Sequence, residues 1–114
     1  MKSRRESARE REAVLEAALA RFVDVCRRMP DVKAVYAFGS LGRGEVGPAS
    51  DLDILVVRDT AVRGADRDRD LRIAFNAPVP LDLVVVTPEE YAQRLPATAF
   101  GRTILAEARL VHAA

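Results

Sequence analysis

Residues 51–57 read DLDILVV, and no other stretch limits the fold as much. The apolar end of this run shows no polar alternation, so it reads as a strand buried on both faces. Two carboxylates head the same strand. Side chains at i and i+2 of a strand point to one face, so Asp51 and Asp53 converge on the side away from Leu52 and Ile54. Carboxylates that close repel, and each raises the other's pKa unless a cation sits between them. Hard oxygen ligands suit Mg²⁺, which binds through a few carboxylates plus substrate phosphates.

The remaining elements are read around this strand. An amphipathic helix is expected over about residues 3–29, with Ser3/Glu6 or Ser7/Glu10 as a capping box. Leu15, Ala18, Leu19, Phe22, Cys26 and Met29 form its apolar stripe, and Pro30-Asp31 stops it. VKAVYAF (residues 32–38) is a strand that ends at Gly39-Ser40. The following LGRGEVGPAS holds three glycines and a proline, which allows a short helix and a loop but no strand. Residues 63–76 form an exposed helix in which Asp68 and Arg72 pair at i, i+4 and Leu71, Ala74 and Phe75 face inward. LDLVVV (residues 81–86) is a third strand. Thr87-Pro88-Glu89-Glu90 opens a short helix that Pro96 stops after Leu95. A short helix over Ile104 and Leu105 and a final strand at Arg109–His112 complete an α/β (α+β) chain.

Length and charge exclude several function classes. The 114 residues fit one domain, 1–114, with a core at about 32–112 behind the first helix. Eighteen basic residues face seventeen acidic ones, which excludes the strong positive field of an obligate nucleic-acid binder. No apolar stretch approaches the roughly 18 residues that span a membrane. The opening MKSRRESARERE has no apolar run behind its basic start and does not read as a secretory signal. Cys26 is the sole cysteine, so no intramolecular disulfide forms and a reducing, cytoplasmic setting is expected. His112 has no His or Cys companion nearby, and Tyr36 and Tyr91 read as packing residues.

The chemistry gathers around the paired aspartates. Asp82 lies near the start of the third strand and joins them if that strand neighbours the second. Three carboxylates around two Mg²⁺ ions are a known arrangement for in-line nucleotidyl displacement, with Asp82 as ligand and proton acceptor. Gly39 lets backbone approach a phosphate, and the Ser40 hydroxyl can donate to it. Arg43 on the same loop is placed to pair with a triphosphate, and Gly44 keeps that loop open.

Gly39-Ser40, ten intervening residues and then Asp51-Leu52-Asp53 resemble the nucleotidyltransferase signature. GSLGRGEVGPASDLDILVV is similar to the minimal nucleotidyltransferases in particular, with Arg43-Gly44 and Ser50-Asp51 where that family has them. The similarity runs on to the closing ILAEARLVH. It implies a DNA-polymerase-β-like palm, a mixed β-sheet with packed helices. It also implies metal roles for Asp51, Asp53 and Asp82, and nucleotide-binding roles for Gly39, Ser40 and, at the matching position, Ser50. Many members of that family are antitoxins that transfer AMP from ATP to a tyrosine of a HEPN-domain ribonuclease toxin. The expectation is therefore a Mg²⁺-dependent protein adenylyltransferase with ATP as substrate and a HEPN toxin as partner. Two rivals stand beside it: a module that neutralises its partner by masking alone, and a transferase for a small molecule or an RNA end.

Overall fold

The computed structural model describes residues 1–114. Helix α1 (Arg4–Arg27) is followed by β1 (Val32–Ala37), α2 (Gly39–Arg43), β2 (Leu52–Arg58), α3 (Arg69–Phe75), β3 (Leu81–Val86), α4 (Ala99–Glu107) and β4 (Arg109–Ala113). The four strands form one sheet in the order β3-β2-β1-β4. β2 and β3 run parallel, while β1 is antiparallel to both β2 and β4. This is the mixed sheet with packed helices that the sequence implied. No helix is long and apolar enough to cross a membrane.

β2 is inner and covered on both sides, as its unbroken apolar run requires. Leu52, Ile54 and Val56 face one core with Leu15, Leu19, Phe22 and Cys26 of α1 and Leu71 and Phe75 of α3. The Phe22 and Phe75 rings meet edge to face at 5.1 Å between centroids, a geometry their quadrupoles favour. Leu55 and Val57 face a smaller second core with Phe38, Val86 and Ile104. Tyr36 and Tyr91 stack beside that core at 5.6 Å.

Of the two capping boxes considered for α1, Ser3 supplies the cap, accepting the Glu6 N–H at 3.1 Å. Arg11 ties the helix to the loop between α2 and β2, donating to the Ser50 carbonyl at 2.8 Å. Met29 lies past the end of α1 and is only partly buried. In α3, Leu71 and Phe75 are buried but Ala74 is exposed, because the seven-residue helix presents only one narrow stripe. The Asp68–Arg72 pair forms at 2.6 Å.

Thr87 and Glu90 make a reciprocal capping box. The turn it opens widens into a π-type segment (Glu90–Arg94), and Pro96 does not end it. Pro96 instead sits in the first turn of a 3₁₀ segment (Leu95–Ala97), where the missing N–H costs nothing. Helix α4 then starts from a Thr98 cap whose hydroxyl accepts the Gly101 N–H at 2.9 Å.

A Cβ on Gly101 would stand 2.1 Å from the Leu95 carbonyl oxygen. That contact is backbone on backbone, so no rotamer relieves it. Gly101→Ala is expected to cost about 2 kcal/mol, a fall in Tm of about 10 °C. A thermal melt tests this, and an unchanged Tm would show that the approach of residues 95 and 101 can relax freely.

Candidate active site

β1 ends against the start of β2, where the Phe38 N–H donates to the Asp53 carbonyl at 3.0 Å. That bond brings the Gly39 turn directly over the Asp53 side chain. Asp51 is exposed, one residue before β2 begins, and Asp53 is partly buried as its second residue. β3 lies beside β2 in parallel register, with Asp53 opposite Asp82 and Leu52 opposite Leu81. Asp82 is exposed. The structure therefore brings all three aspartates to one end of two adjacent strands.

Gly39 has φ +63°, in the left-handed region, and a Cβ there would overlap Asp53 Oδ2 at 2.0 Å. Only glycine allows both that backbone and that carboxylate position. The Gly39 N–H is engaged, donating to Glu107 Oε2 at 3.0 Å. Arg43, half-exposed, donates to Glu107 Oε1 at 2.9 Å and to Glu45 Oε2 at 3.2 Å. Ser50 accepts the Gly47 N–H on its hydroxyl at 2.8 Å, closing the turn that delivers Asp51. Its observed bonds are thus to the chain itself.

Glu107 is the residue that the sequence reading missed. It is the last residue of α4 and lies 68 positions from Gly39. No local motif marks it.

Burial pushes the Asp53 carboxyl up to about 6, and the charges of Asp82, Asp51 and Glu107 push in the same direction. An uncompensated charge at Asp53 is therefore costly, and a cation beside it would relieve that cost. No set of three or more His, Cys, Asp or Glu side chains is gathered tightly enough to hold a metal by itself. The donor set nevertheless fits Mg²⁺, which takes one or two carboxylates and leaves its other positions to water and phosphate oxygens.

The sequence model of the nucleotidyltransferase domain family matches residues 19–111. The chain belongs to this family. No curated protein matches the chain in sequence. Among solved structures, this nucleotidyltransferase domain is similar to a Sulfolobus solfataricus protein assigned as a nucleotidyltransferase. That match has 25% identity and a TM-score of 0.67, and covers 94% of this chain and 87% of the other. The chain also shares its fold with a toxin–antitoxin crystal structure containing AMP-PNP. Identity there is 19%, TM-score 0.54, and coverage 83% of this chain and 73% of that one.

Proposed function

We propose that this nucleotidyltransferase domain transfers AMP from ATP to a tyrosine hydroxyl of a HEPN-domain toxin, acting as its antitoxin. The observation that carries the proposal is the register of Asp53 opposite Asp82, with Gly39 closed over Asp53. The toxin–antitoxin neighbour with AMP-PNP supports the partner and nucleotide class.

In this reading Asp51, Asp53 and Asp82 would hold Mg²⁺, which would supply charge neutralisation to the triphosphate. The Ser40 hydroxyl and the Arg43 guanidinium, both on α2, would hold the triphosphate. Asp82, exposed at the strand end, takes the proton of the attacking hydroxyl. That oxygen bonds to the α-phosphorus as the bond to pyrophosphate breaks.

Intact mass measurement of a HEPN partner incubated with this chain, ATP and Mg²⁺ tests the proposal. The expected result is a gain of AMP units that disappears with Asp51→Asn/Asp53→Asn. A stable complex with no mass gain would sink it in favour of masking.

Gly39→Ala is a second test of the site. An added methyl forces the Asp53 carboxylate aside, and displacement of a reacting group by about 1 Å costs on the order of 100-fold in rate. Single-turnover AMP transfer should fall by that factor. Transfer at the wild-type rate would mean that Asp53 need not sit where Gly39 now allows it.

A further inference from the structure

We infer that Glu107 is a positioning residue for the triphosphate: it clamps the Gly39–Arg43 turn to the end of α4 and aims the Arg43 guanidinium. The inference rests on the function proposed above. Both carboxylate oxygens are committed, Oε2 to the Gly39 N–H at 3.0 Å and Oε1 to Arg43 Nη1 at 2.9 Å. The backbone is clamped as well. A Cβ on Gly42 would meet the Glu107 carbonyl oxygen at 2.5 Å, so α2 and the end of α4 are in direct contact.

Of the two carboxylates that reach Arg43, only Glu107 is well shielded. Its side chain is 20% exposed and that of Glu45 is 71% exposed. Exposed ion pairs hold a side chain weakly, so Glu107 sets the orientation of Arg43. A guanidinium has five N–H donors, and here Glu45 and Glu107 each take one. The others remain for phosphate oxygens, so Arg43 can be held and can bind at the same time. Glutamine cannot fully replace Glu107, because its amide offers one acceptor oxygen where two donors must be met.

The test is titration of a fluorescent, non-hydrolysable ATP analogue with Mg²⁺, paired with kcat and KM for ATP. Glu107→Ala should weaken analogue binding and raise KM about tenfold, a typical effect of losing a charged hydrogen bond, with a much smaller change in kcat. Glu107→Gln, which keeps the shape and one bond, should fall between wild type and Ala and carries the test if the Ala variant fails to fold. Arg43→Ala should weaken binding at least as much as Glu107→Ala, and the loss in the double variant should fall clearly short of the two single losses added together. Wild-type affinity in Glu107→Ala, tighter binding, or additive losses in the double variant would each overturn the inference and leave the proposed function standing. Absence of analogue binding by the wild-type chain would overturn both.

Discussion

Asp53→Asn is expected to abolish the proposed AMP transfer and, at the same time, to stabilise the metal-free protein. The loss follows from the metal role proposed for Asp53. Removing several kcal/mol of charge stabilisation from the transition state corresponds to a rate about 1,000-fold lower. The stability gain follows from the folded-state electrostatics. The Asp53 carboxyl stands at about 6 against an ordinary 3.8, raised by burial and by Asp82, Asp51 and Glu107. The folded state thus holds the proton more tightly than the unfolded chain does. The associated stability is fully present below about pH 4 and is lost as pH rises through 6.

At pH 7.5 without metal the wild type therefore carries a charge that its fold disfavours, and asparagine removes it. Solvent screening at this half-buried site reduces the gain to about 1 kcal/mol, a Tm higher by about 5 °C. At pH 4 the two proteins should melt together. Mg²⁺ and a non-hydrolysable ATP analogue should raise the Tm of the wild type but not of the variant, because only a site that binds them gains stability. Melts with EDTA at the two pH values decide the matter. An Asn variant less stable than wild type at pH 7.5 would show that Asp53 makes a favourable contact in the apo protein. A site that costs stability when empty is the pattern expected where function and folding compete.

Much of this site was legible because its signals are local. The unbroken apolar run after Asp53 marked a strand covered on both sides, and the Gly39-Ser40 break marked the end of the strand before it. Asp82 was readable as a candidate because it lies near the start of the third strand, although its placement opposite Asp53 depends on β3 lying beside β2. Glu107 was not readable. Its partners Gly39 and Arg43 lie 68 and 64 residues away, and a glutamate in the last turn of a helix looks like any solvated charge. Ala74 and Pro96 misled for a related reason. Periodicity and proline rules describe an isolated segment, whereas the burial of α3 and the turn beyond Arg94 are set by what packs against them.

Arg58 shows the same limit and carries the largest expected loss of stability. In the sequence it directly follows the apolar run of residues 51–57 and carries no motif. In the structure it is the last residue of β2, with a side chain only 11% exposed. It donates to Asp31 at 2.8 Å, to both oxygens of Asp70 at 2.7 Å, and to the Arg67 carbonyl at 3.0 Å. It thereby joins the start of β1, the 64–68 turn and α3 at the end of β2 opposite Asp53. Arg58→Ala removes the guanidinium donors from Asp31, Asp70 and the Arg67 carbonyl, and leaves Asp70 only the Leu71 N–H. Breaking a fully buried pair costs about 3–5 kcal/mol, and the exposure of Asp70 moves the expectation to about 2–3 kcal/mol.

Arg58→Lys should recover little, because an ammonium cannot make the two-pronged bond to Asp70. The Arg58 guanidinium holds the Asp70 carboxyl below its usual range, so this contribution is present above about pH 4 and disappears as pH falls through the lowered value. The difference in stability between wild type and Arg58→Ala should therefore narrow in acid. Cys26, beside these charges, has its thiol pushed up to about 12, chiefly by burial. It should resist alkylation in the folded wild type, and its labelling rate should rise in Arg58→Ala as the fold opens. AMP transfer per folded molecule should not change, since Arg58 touches none of the residues around Asp53. Asp53→Asn and Arg58→Ala thus form opposed controls, one more stable and inactive, the other less stable and active. Inactivity of correctly folded Arg58→Ala would mean that the two ends of β2 are coupled, and that the site is not confined to the strand starts.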